Sequence, residues 1–103
     1  YTLLLASTAL AINVTLYPKL PFDVQRDFAP VTRIGSAPLL LVSSAQLPVK
    51  TVAELVALAK AKPGQISYGS TGTGGSAHLM GEMFRAAAGI DVLHVPYKGL
   101  APA

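Results

Sequence analysis

The stretch from Gln65 to His78 constrains this chain more than any other. A short strand signal at Ile66 to Tyr68 enters a loop of glycine and hydroxyl residues, and the loop opens a clear helix. Gly69, Gly72, Gly74 and Gly75 give the loop a backbone that can turn sharply and lie close to a ligand. The first turn of the following helix has unpaired N–H groups and the positive end of the helix dipole. A strand, a glycine loop and a helix in this order make a seat for a carboxylate or a phosphate. The same order is also an ordinary α/β connection.

Two sharper readings of the loop fail on residue identity. A P-loop needs a lysine, and Gly75 stands in its place. Gly72, Gly74 and Ala77 match a dinucleotide fingerprint, but that fold also wants an acid at the far end of the next strand. Asp91 is the only acid nearby, and it precedes that strand.

The flanking sequence alternates helix and strand signals. Thr51-Val52-Ala53-Glu54 is a capping box, with Glu54 expected to reach back to Thr51. Val52, Leu55, Val56 and Ala59 then share one helix face. Lys60 and Lys62 suit its last turn, and Pro63-Gly64 end it. After the glycine loop, Leu79, Met80, Met83, Phe84 and Ala87 line one face of a second helix, which Gly89 stops. The methionine pair has core spacing. Asp91 to Val95 leads into another strand that ends at Pro96. This is the βαβ pattern of a parallel sheet with right-handed crossovers. Ligands collect beyond the carboxyl ends of such strands, so the glycine loop and Tyr97-Lys98-Gly99 should share a rim.

The first part of the chain is less regular. Thr2 to Leu5 is a continuous apolar run, expected as a strand buried on both faces. Ser7 and Thr8 can each cap a helix over Ala9 to Leu16. Phe28 to Val42 is expected as mostly extended, interrupted by Pro30 and Pro38. Gly35-Ser36-Ala37-Pro38 marks a change of direction, either a crossing between two domains or a hairpin turn. The opening run Tyr1 to Ile12 has no basic flank and no spanning length, so it reads as neither signal nor membrane segment. The chain opens inside a strand signal, and Lys98 to Ala103 closes without a further element, which reads as a fragment.

Composition narrows the chemistry. The 103 residues are 51% apolar and 13% charged, enough for a core and far from disorder. The net charge is +3, and the basic residues are spread singly, which leaves no nucleic-acid footprint. There is no cysteine, so thiol nucleophiles, disulfides and zinc–thiolate sites are excluded. His78 and His94 are the only histidines and have no carboxylate partner in sequence, a poor metal set. The His78 ring could face the loop; the ordinary reading of both is a hydrogen-bonded core histidine. Ser76 and His78 lie two apart on a helix and do not face each other, so they make no nucleophile–base pair. No two of the five acids form an acid–base pair. Ser70, Thr71, Thr73 and Ser76 with the glycines suit holding an anion through N–H and O–H groups.

Six motifs in register resemble one family. Tyr1-Thr2-Leu3-Leu4 with Ser7-Thr8, Asp27 to Val31, Leu47 to Leu55, Lys62-Pro63-Gly64, Tyr68 to His78 and His94 to Gly99 look like the substrate-binding proteins of tripartite tricarboxylate transporters, the Bug-type periplasmic receptors. The resemblance implies an α/β fragment of a two-lobed type II periplasmic binding fold, with residues 1–36 in the first lobe and 37–103 in the second. It implies capture of a small carboxylate-bearing metabolite, delivery to membrane permease subunits, a monomeric receptor and a periplasmic location. No catalysis, cofactor, metal or nucleic acid is implied. The family pattern carries over to Ser7 and Thr8, to Ser70, Thr71, Gly72, Thr73, Gly74, Gly75, Ser76 and His78, and to Tyr97, Lys98 and Gly99. The competing readings are a nucleotide- or phosphate-binding domain of an enzyme, and a βαβ unit without ligand competence.

Overall fold

A computed structural model describes residues 2–99 and 101–102. Tyr1, Leu100 and Ala103, which belong to the opening run and the closing stretch, lie outside the described residues. The elements are α1 (Ala9–Leu16), α2 (Val52–Ala61), β1 (Ser67–Ser70), α3 (Ser76–Ala88) and β2 (Leu93–Pro96). Strands β1 and β2 pair in parallel, with Ser67 opposite Leu93, Tyr68 opposite His94, Gly69 opposite Val95 and Ser70 opposite Pro96. The expected βαβ unit is therefore present, and the chain is α/β.

Local chemistry explains the boundaries. The Thr51 hydroxyl accepts from the Glu54 N–H at 3.2 Å and starts α2. The return arm of the box goes elsewhere than expected. The Glu54 carboxylate accepts from the N–H of Lys50 at 2.7 Å, one residue before Thr51. The Glu54 side chain still ties down the chain entering the helix, and such a cap contributes about 1 kcal/mol. Gly89 ends α3 in the left-handed conformation, with φ 61°. At α1 the capping expectation splits. Thr8 is the N-cap but its side chain makes no cap bond. The Ser7 hydroxyl instead accepts from Ala9 N–H at 3.3 Å.

Three expectations are corrected. Thr2 to Leu5 is not a strand here: no ladder forms, and Leu3 is 89% exposed. Phe28 to Val42 likewise forms no strand and no hairpin, and Leu40 is 82% exposed. Extended apolar segments become strands only when another strand supplies the N–H and C=O partners, and none of the described residues does so. Third, Met80 and Met83 are not core; both are exposed, as is Leu79. Val52 also faces solvent, while Leu55 and Val56 are half-buried.

The core is accordingly small. Ala59 and Ile90 are the buried apolar residues among those described, and Ser70 is the buried polar one. The radius of gyration is 16.7 Å, against about 13 Å for a compact chain of ~100 residues. Many apolar side chains stay uncovered, among them Leu3 to Leu5 and Leu39 to Val42. Among the described residues no helix is long and apolar enough to cross a membrane.

Candidate functional site

The site is built on the face of β1–β2 that α3 covers. Along β1, Tyr68 and Ser70 are covered while Ser67 and Gly69 point out, as period-two alternation requires. Tyr68 and His94 are register neighbours, and their ring centroids lie 5.0 Å apart. His78, from the first turn of α3, stacks on His94 at 4.0 Å with an interplanar angle of 14°. Ser70 is next on the same face of β1, and its Oγ lies 2.7 Å from His94 Nε2.

The loop closes over this arrangement. The Tyr97 N–H donates to the Ser70 carbonyl at 2.9 Å. A Cβ placed on Gly72 would lie 3.6 Å from the Tyr97 carbonyl. The glycine loop and the Tyr97-Lys98-Gly99 segment thus do share a rim. The His78 ring does face the loop: its Nδ1 accepts from the Gly74 N–H at 3.2 Å.

The glycine N–H groups, expected as ligand donors, are used inside the loop. Gly72 donates to Ser70 Oγ at 3.3 Å, Gly74 to His78, and Gly75 to the Gly72 carbonyl at 3.4 Å. Gly74 is buried, because α1 lies on it. Its φ is +82°, and a Cβ there would be 2.8 Å from Leu16 Cδ2 and 3.2 Å from Asn13 Oδ1. The donors left over are the first-turn N–H groups of Ser76, Ala77 and His78, for which no acceptor exists among the described residues. Thr71 and Thr73 are exposed beside them.

Ser7 and Thr8 are not brought against the loop by α1. Asn13 and Leu16, toward its other end, meet Gly74, and at 1.5 Å rise per residue that leaves the Ser7–Thr8 corner roughly 10 Å away along the axis. Two open hollows lie along residues 41–55, both lined by Val49 and Lys50, and neither includes the glycine loop. The loop is an open rim.

A second polar pair lies under the histidines. Tyr68 Oη donates to Glu82 Oε1 at 2.8 Å, and Arg85 bridges Glu82 at 3.0 Å. Burial first, then the bond and the charge of Glu82, push the Tyr68 hydroxyl up to about 12. The Tyr68 bond in turn leads the causes that hold Glu82 below the usual carboxylate range. Because the folded value for Tyr68 exceeds the ordinary 10.0, its contribution is complete below pH 10 and lost as the pH rises toward about 12. Melting temperatures should therefore fall over that alkaline window, and Tyr68→Phe should flatten the fall. His94 is held below the usual histidine range, by burial first and by the neighbouring His78 second.

Sequence reasoning left Tyr68, Glu82 and His94 out of the site, together with Asn13 and Leu16. The available signal was the shared phase of Tyr68 with Ser70 and of His94 with Pro96. It becomes informative only once the register of β1 and β2 is known.

Known proteins share this arrangement of sequence. The chain is 38% identical over 105 residues to protein BugT of Bordetella pertussis, covering all of this chain and 32% of BugT. It is 37% identical over 103 residues to a protein encoded in the tcbD–tcbE intergenic region of Pseudomonas sp. strain P51, covering all of this chain and 31% of that protein. The chain thus spans about a third of the length of these curated relatives. Among solved structures, one described as a periplasmic transporter matches with a TM-score of 0.54 and 50% identity, over 56% of this chain and 19% of that one. An R. palustris protein solved with adipate matches with a TM-score of 0.55 and 40% identity over the same shares. The match to the tripartite tricarboxylate transporter family receptor runs over residues 1–103, and the chain belongs to that family.

Proposed function

We propose that this chain forms part of a periplasmic solute receptor that captures a small carboxylate-bearing metabolite without chemical turnover and passes it to membrane permease subunits. The observation that carries the reading is the group of free first-turn N–H donors at Ser76, Ala77 and His78, flanked by the exposed hydroxyls of Thr71 and Thr73. A carboxylate only accepts hydrogen bonds, so it needs such donors close together. Charge-assisted bonds of this kind contribute about 1.5–3 kcal/mol each. Ser70, Gly72, Gly74 and Gly75 shape the loop, and Tyr97, Lys98 and Gly99 complete the rim. Ser7 and Thr8, which α1 leaves short of the loop, belong to a first lobe of residues 1–36 that would face the ligand only on closure, with 37–103 in the second lobe and the crossing near Gly35 to Pro38. Family membership and the adipate found with one structural relative support an organic acid as the class of ligand.

The test is a thermal-shift screen of the full-length protein against adipate and other di- and tricarboxylates. A ligand present at about a hundred times its Kd stabilises the fold by about 2.7 kcal/mol, which is readily seen as a rise in melting temperature. The rise should survive a chelator and excess nucleotide. A chain that responded to inorganic phosphate or nucleotides, and to no carboxylate, would overturn the reading.

A further inference from the structure

The neighbouring rings of Tyr68, His94 and His78 hold more polar chemistry than packing requires. His94 joins the carboxyl end of β1 to the start of α3, since it bonds Ser70 through Nε2 and stacks on His78. Each of its partners holds a different part of the loop. The Ser70 hydroxyl lies within bonding distance of both the N–H and the carbonyl of Gly72, and His78 Nδ1 accepts from Gly74.

We propose that His94 is a positioning residue for the ligand loop: its bond to Ser70 and its stack on His78 hold the loop in the shape that leaves the first turn of α3 open to a ligand oxygen. The proposal rests on the carboxylate-receptor reading above.

The hydrogen bonds dictate the protonation states. A ring nitrogen that accepts from Gly74 carries no proton, so neutral His78 must be protonated on Nε2. Protonating Nδ1 would set two N–H groups against each other and release Gly74. The His78 ring stacked at 4.0 Å adds to the burial that holds His94 below the usual histidine range. The charged and titratable groups around it act in the same frame. Glu82 of α3 favours the cation at His94, yet it is already engaged by Tyr68 of β1 and by Arg85. Burial and His78 outweigh it, and His94 stays neutral at neutral pH.

The test uses the full-length protein with nitrogen-labelled histidine and glycine, observed by NMR, with adipate as the probe ligand. In the wild type, His78 should show the Nε2-protonated tautomer, and the Gly74 amide should be protected from exchange. His94→Ala should speed Gly74 exchange and weaken adipate binding, each by about tenfold, the size of one lost hydrogen bond. His94→Gln, whose amide nitrogen can reach Ser70, should restore part of both. His94→Phe keeps the ring volume and loses the Ser70 bond, so it serves if the alanine variant does not fold, and it should loosen Gly74 as well. Wild-type exchange and affinity in the alanine or phenylalanine variant would overturn the proposal. So would a faster Gly74 exchange with unchanged adipate affinity. If the wild type binds neither adipate nor any other acid while Gly74 still loosens in the variants, the positioning role stands and the carboxylate reading fails.

Discussion

Gly74→Val should abolish most ligand binding by the full-length receptor, whereas Thr73→Ala should leave most of it. Gly74 has a left-handed backbone, with φ +82°, that a β-branched residue adopts only under strain. That strain costs on the order of 1–3 kcal/mol. The added side chain would also meet Leu16 and Asn13 of α1, and overpacking of this kind costs a further 1–3 kcal/mol or so. Relief of either requires the loop to shift, and a shift breaks the Gly74 bond to His78. The expected result is a loss of affinity well beyond tenfold and a lowered melting temperature, with helix content by circular dichroism retained. Thr73 is exposed, and its loss removes at most one hydrogen bond, about 0.5–1.5 kcal/mol. Calorimetry with the best-bound carboxylate measures both. Equal, wild-type affinities for the two variants would show that the loop is structural only.

The second large effect is expected at Gly81, where propensity and packing give opposite signs. Gly81 lies inside α3, and replacing an interior helix glycine by alanine ordinarily stabilises by about 0.8–1 kcal/mol. Here a Cβ would collide with the ring of Tyr68, at Cε2, Cζ and the hydroxyl. The ring is not free to swing away, because Glu82 holds its hydroxyl and His94 lies against it. Gly81→Ala should therefore destabilise by about 1–3 kcal/mol in urea unfolding of the full-length protein. Combined with Tyr68→Ala, the same substitution should turn neutral or stabilising, which is the coupling that a double-mutant cycle reads. A stabilising effect in the wild-type background would mean that the Tyr68 ring does not rest on α3.

Both predictions concern residues whose significance changed once the fold was seen. From sequence, Gly74 belongs to the site as a flexible donor. In the structure it is a buried contact under α1 whose N–H is already taken. Gly81 carried no signal at all. The elements themselves were legible because their causes are local. Thr51 and Glu54 lie three residues apart and cap α2, Gly89 stops α3, and the β-prone runs beside the glycine loop pair through a crossover helix. The shared rim followed from strand direction alone.

The failures have one physical origin. Thr2 to Leu5 and Phe28 to Val42 have strand composition, but a strand is completed by hydrogen bonds to a partner distant in sequence. Met80 and Met83 have core spacing, but a face becomes core only where something packs on it, and here it stays exposed. What the sequence determined by itself is the βαβ unit, its helix ends and the position of the glycine loop at a strand's carboxyl end. Only the tertiary structure decided which donors remain for a ligand. That depends on the register that sets Tyr68 beside His94, on the α3 crossover that stacks His78 on the pair, and on α1 covering Gly74. These contacts join residues 13 and 16 to 74, 68 to 94 and 78 to 94, and no local pattern of spacing encodes which of them will meet.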